Sequence, residues 1–213
     1  MNPHLMIVLV SLFYIVLFGG MSLLRREGLS NQFAFEVLGL TALVVAFSLL
    51  TGTTVHPVLF LILIYLVSMR CRILVDLANL LSARGRQRDA IRVLQWSLRL
   101  YPDMTTRLII LVNMGIVQLR RQNPESAQTL FESVLEEAES GRLGIKYQAA
   151  SHYNLGLALQ RQGNDAEAVH QFNETIEVFP NSIYAKGAEL ALEKRRRGKA
   201  KPEEEPPDYT EAK

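Results

Sequence analysis

The chain reads as all-α: apolar helices at the N-terminus lead into a stack of three helix pairs closed by a final helix. Three observations point there. One set of small, alanine and large residues recurs three times at fixed internal offsets, the first seventy residues are almost free of charge, and the apolar pattern stops before a short tail rich in Pro, Glu and Lys.

The leader comes first. Residues 1–24 carry no acidic or basic side chain, and Leu5 to Leu24 supplies twenty mostly apolar positions, about 30 Å as a helix and enough to cross the hydrocarbon core. From Gly28 to Met69 the only charge is Glu36, over a length that suits two crossings, and Thr51-Gly-Thr-Thr-Val-His-Pro breaks it midway. Transmembrane helices are therefore expected near residues 5–24, 33–51 and 55–71, making residues 1–70 a membrane domain. The third has a strictly apolar run of only thirteen residues, Pro57 to Met69, so it needs Thr53 to His56 at one interface and a snorkelling Arg70 at the other. No basic n-region precedes the first span and no A-x-A site follows it, which argues against a cleaved signal peptide.

Arginine placement sets the expected orientation. Arg25 and Arg26 lie in the first loop, the second loop has no Lys or Arg, and Arg70 and Arg72 follow the third span. These four are the expected membrane-interface residues. They place the N-terminus outside and the remainder in the cytoplasm of a bacterial-type inner membrane. The single cysteine, Cys71, allows no internal disulfide, which suits a reducing compartment.

The repeats follow. Ala78, Gly115 and Gly156, preceded by Leu77, Met114 and Leu155, stand twelve residues before Ala90, Ala127 and Ala168, and Leu94, Phe131 and Phe172 come four residues later. A small residue on one helix and an alanine on the next let two antiparallel axes approach, while the large residue a turn later fills the seam. The pattern, strongest from Tyr153 to Phe172 and closed by Pro180, resembles the tetratricopeptide repeat (TPR) over residues 71–181. Pro102 and Pro180 stand where the motif often ends its second helix, whereas the middle copy has Glu139, and the usual large residue near each unit's start is replaced by Leu74, Leu111 and His152.

The expected repeats are 71–104, 108–141 and 149–182, followed by a capping helix at 182–197 and a disordered tail at 198–213. The alanine spacings are 37 and 41, against roughly 34 for the ideal repeat. The larger insertion falls in Glu139 to Gln148, where Gly141 and Gly144 predict a longer helix, a stop and a restart near Ile145. Gly85 and Gly163 mark inter-helix turns. Asn123-Pro124 offers an N-cap with proline at the first helical position, Asn164 with Glu167 a capping-box variant, and the first copy lacks an obvious cap.

Charge divides the repeats. Arg70 to Arg121 holds ten arginines and three aspartates, +7, whereas Gln122 to Glu193 holds four basic and eleven acidic residues, −7. The basic block adjoins the expected membrane, where anionic headgroups attract it by roughly 1 kcal/mol per basic residue. Trp96 falls at helical spacing with Val93 and Leu100, which predicts packing rather than base stacking, so no nucleic-acid partner is expected.

No catalytic machinery is visible. His4, His56, His152, His170 and Cys71 lack ligand spacing, so neither metal nor cofactor is expected, and no phosphate loop, G-x-S-x-G or H-E-x-x-H occurs. His152 shares a side with Gly156 and is expected to pack. Glu36, three residues into the second span, is expected to pair with an arginine or reach water rather than relay protons.

Stacked helix pairs coil so that first helices line a concave face. In this register the partner-binding candidates are Asn79 and Ser82, then Asn113, Ile116 and Arg120, then Tyr153, Asn154, Leu157 and Arg161. Asparagine amides suit a partner's backbone, and Arg120 and Arg161, at equivalent offsets, suit carboxylates. Chaperone-binding members of the family hold a peptide carboxylate with a basic clamp. Asn79 and Asn113 match its asparagines, but Val75, Ala150 and Asn154 replace its basic positions, so a chaperone tail is not the expected ligand. The expected function is that of a membrane-tethered adaptor or assembly scaffold, not an enzyme, whose partners are another protein or complex and membrane lipid. The alternative is a regulatory or structural subunit of a transporter or larger membrane complex in which the spans carry the function.

Overall fold

The computed structural model describes residues 3–24, 31–138 and 143–199, and every regular element among them is a helix. Three apolar helices come first: α1 (Pro3–Leu24), α2 (Asn31–Thr51) and α3 (Pro57–Ser68). Their contacts follow a seven-residue stripe, Ile7 and Tyr14 on α1, Val37 and Val44 on α2, meeting Phe60 and Ile64 on α3. Hydroxyls fill the same stripe. Ser11, Thr41 and Ser48 are buried, and Ser11 and Thr41 donate to the Val8 and Val37 carbonyls of their own helices. Such small polar residues allow close helix approach without leaving an unpaired group.

The break between α2 and α3 falls where the sequence places it. The Thr51 hydroxyl bonds the Phe47 carbonyl at 2.8 Å, Gly52 takes a left-handed φ of +67°, and the Val58 N–H donates to His56 Nδ1 beside Pro57. The third apolar helix is shorter than residues 55–71. It stops at Ser68, is twelve residues long, and turns by 65° across Met69 into α4 (Arg70–Ala83). At about 1.5 Å per residue it measures roughly 18 Å, short of the roughly 30 Å hydrocarbon core. Among the described residues, α2, over Gln32–Thr51, is long and apolar enough by itself to cross a membrane, and α1 is apolar over His4–Gly20.

The repeats form three antiparallel pairs: α4 with α5 (Gln87–Arg99), α6 (Met104–Arg120) with α7 (Pro124–Ala138), and α8 (Ile145–Arg161) with α9 (Asp165–Val178). A closing helix, α10 (Ile183–Lys199), packs on α8 and α9. The recurring residues do what their spacing requires. A Cβ added to Gly115 would stand 2.6 Å from Phe131 Cζ, and one added to Gly156 2.7 Å from Phe172 Cε1, so the ring occupies the space the glycine vacates. Ala78, Ala90 and Leu94 make the same seam in the first pair and are fully buried. The cap repeats the device, since a Cβ on Gly187 would meet the Tyr153 ring at 2.9 Å.

The insertions take a specific form. The first helices of the second and third units begin at Met104 and Ile145 rather than at 108 and 149, so the distance from helix start to small residue is 11, 11 and only 8 in the first unit. One extra turn in α6 accounts for the three added residues of the second unit. In the third, α8 carries the same extra turn. Residues 139–142, including Glu139 and Gly141, lie outside the described residues, as do Arg25, Arg26 and the tail from residue 200.

The capping expectations fare differently from the helix starts. Asn164 precedes α9 but makes no side-chain cap bond, and Asn123 donates to the Ser126 hydroxyl at 3.0 Å. Positive φ values mark one equivalent turn residue in each pair, +81° at Gly85, +61° at Gln122 and +82° at Gly163. The middle unit therefore places a non-glycine residue in the left-handed region.

Candidate functional site

Two places in the molecule combine polar chemistry with a defined setting: the face lined by first helices, and the junction between the apolar helices and the first pair. The face follows from packing. First helices touch successively, α4 with α6 and α6 with α8, while among the described residues α5, α7 and α9 do not touch one another. A stack that is close on one side and open on the other curves toward the close side, which makes the first helices its inner wall.

The expected groove residues divide by how their polar atoms are used. Asn79 is exposed. Asn113 is half-buried, and its amide donates to the Ile109 carbonyl at 2.7 Å. Ile116 and Leu157 are half-buried and pack against the core of the second and third units. Tyr153 packs between Phe172 and Tyr184 with its ring tilted to both, centroids 6.0 and 6.1 Å away. Two of the expected residues do not line an open surface. Ser82 is buried under Arg120, and Asn154 is buried with its amide donating to Ala150 at 2.7 Å. In an α-helix a short polar side chain turns back onto the preceding carbonyl when its outward path is blocked, and Asn154 does so.

Arg120 and Arg161 repay their equivalent offsets with equivalent geometry. Each reaches back by one unit: Arg120 Nη1 donates to Ser82 Oγ at 2.9 Å, and Arg161 Nη1 donates to the Leu119 carbonyl. Both residues remain exposed. Gln162 adds a parallel tie to Gln128 at 2.8 Å. His152 bonds Gln171 inside the third unit through Nδ1, in keeping with a packing role. Val75, Ala150 and Asn154, which replace the basic clamp positions, are all buried.

The junction is built around Arg70. Its Nη1 and Nη2 meet Glu36 Oε2 and Oε1 at 2.6 and 2.8 Å, a bidentate pair, and Nε and Nη2 donate to the Leu100 carbonyl at 3.2 and 3.0 Å. Gln32 completes it, donating to Glu36 Oε1 at 3.0 Å and to the Tyr101 carbonyl at 2.8 Å. Glu36 and Arg70 lie 34 residues apart and meet at the open end of the α2–α3 hairpin, on unpaired carbonyls at the C-terminus of α5. Arg72 is half-buried beside it.

Burial raises two other groups. The Cys71 thiol, 5% exposed, is pushed above the usual thiol range by desolvation, and the Tyr184 phenol is raised by the same cause. A neutral buried thiol is a packing group, not a nucleophile. Sequence reasoning missed a further cluster at the α4–α5 turn, where Arg86, Arg88, Arg92 and Arg121 line an open depression of about 520 Å³ around Asp89, which pairs with Arg86 at 2.7 Å. The Arg-rich Gly-Arg-Gln-Arg-Asp turn was the available signal.

Residues 106–181 match a family model described as Tetratricopeptide repeat. The match runs from within α6 to just beyond α9, covering the second and third pairs. It supports a TPR protein and, with it, a role as a protein-interaction adaptor or scaffold. No curated protein matches the chain.

Proposed function

We propose that the protein is a membrane-tethered adaptor that holds a partner polypeptide against the inner wall of its repeats. The observation that carries this reading is the continuous run of first helices, α4 to α6 to α8, closed by α10, with two exposed guanidinium groups at equivalent positions along it. The partner side chains that fit them are carboxylates, and Asn79 offers a backbone-binding amide beside them. Photocrosslinkers placed at positions 120 and 161 in native membranes are expected to recover the same discrete protein. Recovery of none, with the chain intact and membrane-bound, overturns the reading.

The tether in this proposal is the α1–α3 group. Its support is compositional and geometric: outward-facing apolar side chains on α1, α2 and α3, and an ion pair confined to one end of the hairpin. The orientation proposed is N-terminus outside and repeats in the cytoplasm of a bacterial-type inner membrane, on the arginine bias at Arg25, Arg26, Arg70 and Arg72. Cys71 is too buried to report that orientation, so the tail is the better probe. Protease added outside intact cells is expected to leave residues 200–213 uncut, and cleavage reverses the assignment.

The opposing reading gives the function to the spans and makes Glu36 its working group. Its carboxylate is instead committed to Arg70 and Gln32. Glu36→Gln is therefore expected to loosen the junction by about 1.5–3 kcal/mol, the scale of a hydrogen bond to a charged group, while partner recovery persists. Abolished activity in a chain that assembles normally favours the opposing reading.

A further inference from the structure

The two ends of the repeat stack are finished differently. At the C-terminal end α10 covers the last pair. At the N-terminal end the flank of α4 and α5 that faces away from α6 bears large apolar side chains without cover.

On α4 these are Ile73, Leu77 and Leu80, spaced i, i+4, i+7 and continued by the exposed Arg84. On α5 Trp96 is 69% exposed and Tyr101, just past the helix, is 84% exposed, with Leu100 between them. None of these six belongs to the cluster in which α4 and α5 pack on Ile109, Ile110 and Val117 of α6. Trp96 was expected to pack with Val93 and Leu100, but only Val93 reaches that cluster.

Three features say what covers this flank. First, it is continuous with the apolar helices, because Arg70 and Gln32 fasten the Leu100 and Tyr101 carbonyls to Glu36 at the end of α2. Second, α4 turns away from α3 by 65° instead of continuing it, so a first pair attached to a span is laid nearer the surface than the span's own axis. Third, Arg92 and Arg99 stand four residues before and three after Trp96, on the same side of α5, and both are exposed. Tryptophan and tyrosine flanked by arginine, beside an aliphatic stripe, match the headgroup layer of an anionic leaflet, where the rings sit at the apolar boundary and guanidinium groups meet phosphates.

We infer that this flank of the first repeat is seated on an anionic bilayer surface, with Trp96 and Tyr101 at headgroup depth; the inference rests on the tethering reading and specifies how the first unit is held against the lipid. The outer flank of the pair then serves as a foot, and the inner wall is left to the partner.

The chain has one tryptophan, so tryptophan emission, excited selectively over tyrosine, reports this site alone. The full chain is reconstituted in vesicles of phosphatidylcholine with phosphatidylglycerol, and its retention on flotation in alkaline carbonate is measured first. Trp96 is then expected to emit at short wavelength, to be quenched by lipids brominated near the glycerol backbone, and to be shielded from acrylamide. Omitting phosphatidylglycerol is expected to at least halve the lipid quenching, and equal quenching without it overturns the part assigned to Arg92 and Arg99. If the chain floats yet Trp96 emits as in water and acrylamide reaches it, the foot is overturned and the tether stands. Short-wavelength emission untouched by brominated lipid means that protein covers the flank, and it also overturns the foot. If the chain does not float, the tether fails and the inference falls with it. A Trp96→Phe, Phe47→Trp chain separates the cases, because Phe47, exposed on α2, reports span insertion independently of the first repeat.

Discussion

The apolar helices and the repeat stack use opposite rules for where large side chains go. In α1–α3 the interior is thin and partly hydroxylic, Ser11, Thr41 and Ser48 lying among six apolar residues, while Phe13, Phe35, Leu43 and Leu50 point outward, Leu50 being 87% exposed. In the second and third units the large rings of Phe131 and Phe172 point inward onto glycines, and the outside is mostly charged or polar, with Ile145 and Phe179 partly exposed. Water selects the second arrangement by removing apolar area from itself; the first is the one expected where the surroundings are themselves apolar, because there helices gain by close contact rather than by hiding. The first pair stands between the two regimes, with a core like a repeat and one flank like a span.

The comparison breaks most visibly at Leu43, exposed near the middle of α2. Leu43→Lys is expected to cost about 2.5–3.5 kcal/mol of insertion free energy if lipid surrounds that helix, read as lost carbonate-resistant membrane association. In water an exposed substitution of this kind is nearly neutral, within about 0.5 kcal/mol, so unchanged association erases the distinction between the two regions. On the other side of the comparison, Gly156→Ala forces a methyl group against the Phe172 ring and is expected to destabilise the repeats by about 1–3 kcal/mol in denaturant titration. Adding Phe172→Leu reproduces the Ala78 and Leu94 pairing of the first unit and is expected to recover most of that loss. A neutral Gly156→Ala removes the packing account of the repeat.

The smallest effect sharpens the comparison inside the stack. Gln122 holds the left-handed turn that Gly85 and Gly163 hold in the neighbouring units. Gln122→Gly is expected to stabilise the repeats by about 0.5–1 kcal/mol, visible as a higher denaturation midpoint at unchanged slope, since the loss of strain exceeds the added freedom of the unfolded chain.

How much of this was legible in the sequence depends on how far apart the interacting residues are. The seams were readable because glycine and phenylalanine sit sixteen positions apart within one unit, and three copies give the same answer. The restart at Ile145 was readable from Gly141 and Gly144 for the same local reason. The earlier start of α6 was not read from the repeat pattern, although Pro102 and Asp103 stand immediately before Met104. At the groove, Asn79, Ser82 and Asn154 are equally polar in the sequence, and only packing decides which faces outward. The Glu36–Arg70 pair joins residues that no local pattern connects, although a lone carboxylate in an apolar stretch announces that a partner is needed. Trp96 was misjudged because its spacing is that of a packed face and the missing neighbour is the unit that a first repeat does not have.

The backward reach of Arg120 and Arg161 has a mechanical consequence. Each fastens one unit to the unit before it on the inner wall, where a ligand must also dock. A carboxylate that draws either guanidinium toward itself undoes a fastening as it binds, so occupancy and the pitch of the coil are coupled variables. On the proposed reading, an array held at the foot and loaded at the inner wall is a spring whose rest length depends on its cargo.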